Sequence, residues 1–344
     1  MKKIISFFSS FAMILSSTLV ISAAPVFADS VNVNFENPPY IVGSINGQDG
    51  WSATGPYDQA VATNTYGYGS FGGQSLRISN AITSGSFGDW VFSKSLTNEV
   101  GETVSTSNGF SSGVRQPHFE TQFDIASTVP ETEQTGLQVS VAPDRGDGSR
   151  MSFLRFNDTP GGINVTFADV QGTTNPANFV LTTIATGLDR LVPHTVKLTM
   201  DLLDGSSNDV VKVYIDGSLV HTGTSWENYY RFDSEASAEQ SSRTTDSMIF
   251  QARSGAGTAP DTLGKGFVFD NLSLLSGPIP PVLVGPPTKF SQCKGDGWKT
   301  FNNPTFTSKS KCNKYVKDHM HTIKGNDIKY TAGNLKREAD FNMS

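Results

Sequence analysis

The feature that most constrains this chain is the alternation of apolar and polar residues in short windows. The stretches "HFETQFDI" (His118–Ile125) and "HTVKLTMDL" (His194–Leu202) show it most clearly. A period of two residues places one face of a strand in a core and the other face in solvent or a groove. Gly, Asp and Asn separate further windows of this kind: Val31–Glu36, Ser75–Ser79, Asp89–Leu96, Thr135–Ala142, Ile163–Val170, Val210–Gly223 and Gly266–Leu274. The pattern predicts an all-β fold, built as an antiparallel sandwich.

One hairpin carries the strongest local signal. In "VYIDGSLV", the pair Asp216-Gly217 is a favoured two-residue turn, because glycine tolerates a positive φ. This hairpin, the strand before it and the later "FVFDNLSL" resemble the concanavalin-like, laminin-G-like jelly-roll domains of exported bacterial proteins. The resemblance covers Val31 to Ser276 and implies a jelly-roll β-sandwich. That fold serves lectins, carbohydrate-binding modules, glycosidases, polysaccharide lyases and adhesion domains alike, so the resemblance leaves the activity open.

The first 28 residues predict export. Lys2 and Lys3 precede an apolar run that ends near Ile21, and Val26-Phe27-Ala28 offers small residues where a signal peptidase reads. Residues 1–28 are therefore expected to form a signal peptide of the bacterial kind, cleaved after Ala28. An uncleaved anchor is the alternative. No later stretch is long and apolar enough to span a bilayer, so we expect a protein that is secreted or held at the cell surface.

Charge divides the rest of the chain in two. Residues 29–288 contain 13 Lys and Arg against 27 Asp and Glu, whereas residues 289–344 contain 11 against 5. Between them, "SGPIPPVLVGPPT" carries five prolines, which favour an extended spacer. We therefore expect a jelly-roll domain over 29–276, a Pro-rich linker over 277–288 and a basic C-terminal unit over 289–344.

The two cysteines of the chain, Cys293 and Cys312, both lie in the basic unit. Paired cysteines of exported proteins oxidise, so we expect a disulfide. A loop of this size stabilises a fold by about 3 kcal/mol in the chain-entropy model. The unit resembles a short cysteine-paired module of exported bacterial proteins, which implies no activity. Its "SKCNKYVKDHMHTI" run predicts a basic helix, either solvated or in contact with an anionic polymer of the cell envelope.

The polar face of "HFETQFDI" offers candidate catalytic carboxylates, Glu120 and Asp124. Four residues of strand separate them by roughly 13 Å, at ~3.3 Å per residue. Glycosidases need two carboxyl groups about 5 Å apart for retention or about 6.5–9.5 Å apart for inversion. These two residues are therefore not a catalytic pair by themselves. They also depart from the E-x-D-x-x-E pattern of jelly-roll glucanases, and a solvated sheet face is the simpler interpretation.

A polysaccharide lyase would need Arg, His, Tyr and Gln side chains together on one sheet. Arg155, His118, Gln122, Tyr229 and Tyr230 are the candidates, but they come from separate predicted strands. A lyase is therefore a secondary hypothesis.

After the hairpin, "SWENYYRF" concentrates aromatic and charged residues. Aromatic rings stack on the apolar C–H faces of sugars, and acidic, amide and guanidinium groups bond sugar hydroxyls. The stretch therefore predicts a glycan site made by these residues: Trp226, Glu227, Tyr229, Tyr230 and Arg231. The alternative is that these rings seal the edge of the sandwich core.

A structural calcium ion is also expected. Glu36 and Asp270 lie on the first and last predicted strands, which are neighbours in many jelly-roll modules. Ca²⁺ takes 6–8 oxygen ligands, which carboxylates and backbone carbonyls can supply. The five histidines and two cysteines show no zinc spacing.

The function these observations favour is carbohydrate recognition outside the cell, without catalysis, with an extracellular glycan or polysaccharide as partner. A polysaccharide-degrading hydrolase or lyase of the same fold is the alternative, and a structural or adhesive surface protein is the third possibility. No phosphate-binding glycine loop occurs, and the acidic main domain argues against nucleic acid as a partner.

Overall fold

The computed structural model describes residues 29–102, 114–236, 242–252 and 258–319, which fall into two compact units divided between Ile279 and Pro280. The strands of the first unit are numbered in chain order. In spatial order, the nine-stranded sheet contains β15 (Ser218–Gly223), β14 (Val210–Ile215), β13 (His194–Asp201), β8 (His118–Ser127), β18 (Phe267–Gly277), β5 (Gln74–Ile78), β4 (Gln59–Thr63) and β2 (Gly43–Ser44), with β1 (Asp29–Val33) also paired to β18.

A second sheet packs against the first. Its seven strands are β12 (Phe179–Leu188), β11 (Gly162–Val170), β10 (Phe153–Thr159), β9 (Gln138–Asp144), β17 (Ser247–Gln251), β6 (Trp90–Phe92) and β3 (Ser52–Ala53). A short ribbon pairs β7 (Val100–Glu102) with β16 (Arg243–Thr245). One short helix, α1 (Glu227–Phe232), follows β15. Neighbouring strands in both large sheets run antiparallel, so the main unit is an antiparallel jelly-roll β-sandwich, as the sequence predicts.

Aromatic side chains from both sheets meet in the core. The ring of Phe123 on β8 lies 6.1 Å from that of Phe156 on β10 and 6.4 Å from that of Phe250 on β17. Phe250 in turn lies 5.2 Å from Phe269 on β18. All four rings are fully buried, and burying such a side chain is worth about 1.5–3 kcal/mol. Since Phe156 points inward, its neighbours Phe153 and Arg155 lie on the outer face of the seven-stranded sheet.

The alternation in the sequence predicts the faces correctly. On β8, Phe119, Thr121 and Phe123 are fully buried, whereas Glu120 is part-exposed and Gln122 exposed. The hairpin turn is confirmed as well, because Asp216 and Gly217 both have positive φ, at 51° and 77°.

The strand limits are less well predicted. The first predicted strand extends to Glu36, but β1 ends at Val33, and the positive φ of Phe35 takes the chain out of the strand conformation. The window from Asp89 to Leu96 is a strand only at its centre, β6. Among the described residues, eight strands lie outside the predicted windows: β2, β3, β4, β7, β10, β12, β16 and β17.

The C-terminal unit has its own small core. Cys293 and Cys312 form the expected disulfide, with Cα atoms 5.8 Å apart. Phe301, Phe306 and Val316 pack around the bridge, and residues 309–319 are helical.

Part of the expected Pro-rich linker belongs to this unit. The Asn302 side chain accepts a hydrogen bond from Val284 N at 2.6 Å and donates one to Val282 O at 2.7 Å. Asn302 thus binds the backbone at both Val282 and Val284, so hydrogen bonds as well as prolines fix this part of the linker.

Two predictions concern residues that lie outside the described ranges. They are the signal peptide over 1–28 and the end of the basic tail, residues 320–344. Within the described residues, no helix has the length and apolar character needed to cross a membrane.

Candidate ligand site

A pocket of about 380 Å³ lies on the outer face of the seven-stranded sheet. Its floor comes from β10 and β11, where Phe153 and Ala168 are paired across the ladder and so share a face. One wall comes from α1 and another from the loop before β6. The lining residues are Phe87, Gly148, Arg150, Phe153, Ala168, Phe179, Leu181, Trp226, Tyr229, Tyr230 and Glu235.

Helix α1 is fixed to the sheet by hydrogen bonds from its aromatic residues. Trp226 caps the helix, and its Nε1 donates to Ala168 O at 3.1 Å on β11. The Tyr230 hydroxyl donates to Arg150 O at 2.8 Å. Both side chains are about 95 % buried. Six residues are too few for a helix to be stable alone, so these anchors hold it in place.

The aromatic rings form one continuous cluster. Phe179 lies 4.9 Å from Trp226 and 5.3 Å from Tyr229, and Tyr229 lies 5.1 Å from Tyr230. Phe179 is 43 % exposed, and Tyr229 is half-buried. The cluster therefore has a buried part, Trp226 and Tyr230, that supports an accessible part, Tyr229 and Phe179.

A buried cation completes the pocket. The Arg150 side chain is 1 % exposed, and its Cζ lies 4.1 Å from the centre of the Phe87 ring. Its Nη1 donates to Gln251 Oε1 at 2.9 Å. Burial lowers the pKa of Arg150 to about 10, so the group is still protonated at neutral pH.

The structure brings together three of the five residues predicted as the glycan site. Trp226, Tyr229 and Tyr230 line the pocket, whereas Glu227 and Arg231 do not. Glu227 accepts hydrogen bonds from Asn208 N at 2.8 Å and Asp209 N at 3.1 Å. Arg231 forms ion pairs with Glu102 and with Glu227. The two charges therefore join α1 to β7 and to the loop before β14, outside the pocket.

The candidate catalytic carboxylates lie on the other sheet. Glu120 on β8 pairs with Lys197 Nζ at 3.1 Å. Asp124 accepts hydrogen bonds from Thr195 Oγ1 at 2.6 Å and Asn271 Nδ2 at 2.8 Å. Both carboxylates thus have partners on adjacent strands, as a stable sheet face requires.

The candidate lyase residues are divided between the two sheets. His118, whose Nδ1 lies 2.7 Å from Asp201 Oδ1, and Gln122 lie on the outer face of the nine-stranded sheet. Arg155, Tyr229 and Tyr230 lie on the outer side of the seven-stranded sheet. The core of the sandwich separates the two groups, so they do not form one site.

Glu36 follows β1, which pairs with the strand that carries Asp270, β18, and the Glu36 carboxylate lies near enough to raise the pKa of Asp270. Glu36 Oε1 accepts a hydrogen bond from Gln74 N at 3.0 Å. Asp270 Oδ1 accepts one from Asn271 N at 2.7 Å, while its buried Oδ2 has no hydrogen-bond partner in the described residues. Burial raises the pKa of Asp270 to about 7, and repulsion by Glu36 and Asp124 adds to the shift.

A free, fully buried carboxylate oxygen beside a second carboxylate suits a hard cation with oxygen ligands. Across the described ranges, no group of three Asp, Glu, His or Cys side chains is arranged to hold a metal. Backbone carbonyls would therefore have to complete a calcium site here.

Comparisons by sequence give no match to a protein family or to a curated protein. Comparisons by structure give similar folds. The alginate lyase Aly36B in complex with an alginate trisaccharide matches with 14 % identity and a TM-score of 0.44, over 72 % of this chain and 97 % of the lyase. The carbohydrate-binding module CBM66 of Bacillus subtilis matches with 13 % identity and a TM-score of 0.33, over 68 % of this chain and all of the module.

Basic winged bean lectin, in complex with Tn-antigen, matches with 13 % identity and a TM-score of 0.34, over 72 % of this chain and 98 % of the lectin. The structural neighbours thus include lectins and carbohydrate-binding modules as well as polysaccharide lyases. At such low identities and TM-scores, no residue of this chain takes a role from them.

Proposed function

We propose that this chain is a carbohydrate-binding protein, which recognises an extracellular glycan through the aromatic pocket and does not cleave it. The observation that carries the proposal is the cluster of rings around an open volume of about 380 Å³. Closing the edge of a sandwich needs buried rings. It does not need half-exposed ones such as Tyr229, Phe179 and Phe87. Exposed rings grouped around a pocket are typical of a binding surface.

The exposed and the buried rings have different roles in the proposed site. Tyr229 and Phe179 offer faces on which the C–H side of a sugar ring can stack. Trp226 and Tyr230 hold these faces in place through their hydrogen bonds to the sheet. Such a site is preformed, which lowers the entropic cost of binding.

The pocket favours recognition over catalysis because of its carboxylate content. Glu235 is the one carboxylate among its lining residues, and it is exposed. Hydrolysis of a glycosidic bond needs two carboxyl groups at a set distance. Glu120 and Asp124 lie on the other sheet and already have partners.

A structural calcium ion is the second part of the proposal. Glu36 and the free Oδ2 of Asp270 would hold the ion together with backbone carbonyls of the loops beside β1 and β18. The ion would join these neighbouring strands and neutralise two carboxylates that otherwise repel each other.

The proposal also places the protein outside the cell. The disulfide fits an oxidising compartment, and the first 28 residues have the composition of an export signal. Exposed lysines on the helix at 309–319 are available to an anionic polymer of the envelope: Lys311 and Lys317. A pull-down with anionic envelope polymers, comparing the intact protein with the double variant Lys311→Ala and Lys317→Ala, tests this last contact.

The test of the glycan site is a binding screen with matched variants. The intact protein is incubated with soluble and insoluble polysaccharides, and the affinity for any ligand is then measured by calorimetry. We expect Tyr229→Ala to weaken binding about tenfold, the value of one lost stacking contact. Its control is Tyr214→Ala, which removes a part-exposed ring from the nine-stranded sheet. Equal affinities of the two variants would contradict the proposed site.

A further inference from the structure

We infer that the ligand of the aromatic pocket carries a carboxylate, as hexuronic acids do, and that Arg150 binds this carboxylate through two parallel hydrogen bonds. The inference rests on the proposed glycan site and adds the chemical class of its ligand. It is based on the burial and the hydrogen bonding of the Arg150 guanidinium.

Arg150 is a buried charge without a counter-charge in contact. Within the described residues, no carboxylate lies within the 4.0 Å of an ion pair with its guanidinium. Burying a charge costs several kcal/mol unless it is paired and hydrogen-bonded. The aromatic rings and the more distant Asp144 carboxylate offset part of this cost. An anion in direct contact, supplied by a ligand, would offset the rest.

The free atoms of Arg150 have the geometry that a carboxylate requires. Among the residues that the structure describes, its Nε and Nη2 have no hydrogen-bond partner, and together they form one edge of the planar guanidinium. That edge presents two parallel N–H groups, and a carboxylate accepts both at once. A neutral hydroxyl group cannot accept from both donors with the same geometry.

The orientation of this edge is fixed by its neighbours. Nη1, the third nitrogen, donates to Gln251 Oε1 at 2.9 Å, and Gln251 Nε2 donates to Phe87 O at 2.5 Å. The backbone carbonyl of Arg150 accepts from the Tyr230 hydroxyl. The guanidinium is therefore held before the ligand arrives, as a selective contact requires.

The Phe87 ring lies over the Arg150 guanidinium, 4.1 Å from its Cζ, and is 54 % exposed, in a loop that leads into β6. The ligand carboxylate reaches Nε and Nη2 when this ring turns aside, and the ring can then pack on the sugar. Glu235 is exposed at the rim, where water screens its repulsion of an anion.

The net charge of the main domain distinguishes a specific carboxylate contact from non-specific attraction of an acidic ligand. Residues 29–288 carry a net charge of −14, which repels polyanions at long range. A preference for an acidic ligand must therefore arise at a local contact.

The first experiment changes the ligand alone. The intact protein is titrated with oligosaccharides of polygalacturonate, alginate and glucuronan, and with the same oligosaccharides after chemical reduction of their carboxyl groups to alcohols. We expect at least one acidic oligosaccharide to bind about 10- to 100-fold tighter than its reduced form, the value of a charge-assisted bidentate contact. Equal binding of every acidic and reduced pair would overturn the inference, while leaving the proposed glycan site standing.

A second ligand comparison identifies the anion. A sulfated neutral glycan of similar charge density is titrated beside the acidic one. A gain from sulfate equal to that from carboxylate would overturn the assignment of a carboxylate. No binding of any oligosaccharide, acidic or reduced, would instead refute the proposed function itself.

The third experiment changes the protein. Arg150→Lys keeps the charge but removes the planar pair of donors, so we expect it to lose most of the difference between acidic and reduced ligands. Arg115→Lys is the control, because Arg115 lies in an exposed ion pair with Asp204. Arg150→Lys with an unchanged preference for the acidic ligand would contradict the role of Arg150, and the ligand comparisons stand even where this variant folds poorly.

Discussion

The two outer faces of the sandwich use their charges in opposite ways. On the nine-stranded sheet, polar groups have partners on adjacent strands: Glu120 forms an ion pair with Lys197, and the His118 ring lies within hydrogen-bond distance of Asp201. On the seven-stranded sheet, the Arg150 guanidinium lies among aromatic rings, and two of its nitrogens have no hydrogen-bond partner in the described residues. Matched charges stabilise a sheet surface modestly, whereas an unmatched buried charge costs stability and is expected at a binding site. The difference supports the proposal of a ligand site on the seven-stranded sheet.

The largest effect we expect is a difference in stability between alanine variants of the two tyrosines of α1. Tyr230→Ala should lower the free energy of unfolding by about 3–5 kcal/mol, because it empties a buried site and removes the bond to Arg150 O. Tyr229→Ala should cost about 1 kcal/mol, because its ring is half-exposed. Urea denaturation measures both. Similar losses for the two variants would mean that Tyr229 belongs to the core and not to a ligand surface.

A smaller effect concerns Asp270 on the nine-stranded sheet, whose Oδ2 has no hydrogen-bond partner in the part of the chain that the structure describes. If Asp270 and Glu36 hold calcium, then Ca²⁺ at 100 times its Kd should raise the free energy of unfolding by about 2.7 kcal/mol. Asp270→Asn should remove this response. Asp49→Asn is the control, since Asp49 lies in a part-exposed pair with Lys94. A melting temperature that changes with neither chelator nor added calcium would rule out a calcium site at Asp270 and Glu36.

The next prediction concerns pH and two acids at the edge of the seven-stranded sheet. Burial raises the pKa of Asp144 to about 7, and burial together with repulsion by Asp144 raises that of Asp246 to about 7. Between pH 4 and 7 the native state therefore binds more protons than the unfolded chain, and stability falls as pH rises through this window.

Asp246→Asn should flatten this fall, by up to about 1.4 kcal/mol per pH unit within the window. Denaturation at a series of pH values, with calcium absent, measures the slope in the native protein and in the variant. A slope that is the same in both would show that Asp246 does not titrate in this range.

The smallest effect is expected from the candidate catalytic carboxylate. Glu120→Gln breaks one part-exposed ion pair, so it should cost less than about 1 kcal/mol and leave glycan affinity unchanged. Release of new reducing ends or unsaturated sugars from a polysaccharide, measured over time, checks the alternative function. Product release that disappears in Glu120→Gln would move the site to the nine-stranded sheet.

Local patterns in the sequence predict the strand faces, the hairpin turn and the disulfide of this protein well. The faces of β8, the turn at Asp216-Gly217 and the bridge between Cys293 and Cys312 each depend on residue types and short spacings. Three of the six aromatic residues that line the pocket stand together in the sequence, in "SWENYYRF". Their neighbours Glu227 and Arg231 are less predictable, because their partners Asn208, Asp209 and Glu102 are distant in the sequence.

The part of the site that sequence reasoning missed depends on long-range contacts. The Arg150 side chain donates to Gln251, which is 101 residues away in the sequence. Phe179 of β12 contacts Trp226 because α1 packs on the outer face of the sheet that contains β12. The alternation around Phe153 and Arg155 was the available signal, since it predicts a strand with both side chains on one face.

Hydrogen exchange with bound ligand tests the central claim most directly. Amide exchange is measured by mass spectrometry in the intact protein, with and without the tightest-binding oligosaccharide from the titrations. We expect slower exchange in peptides from residues 150–156 and 226–232, which form the pocket, and no change in peptides from β8 and β13. Protection confined to β8 and β13 would place the ligand on the nine-stranded sheet and contradict the account.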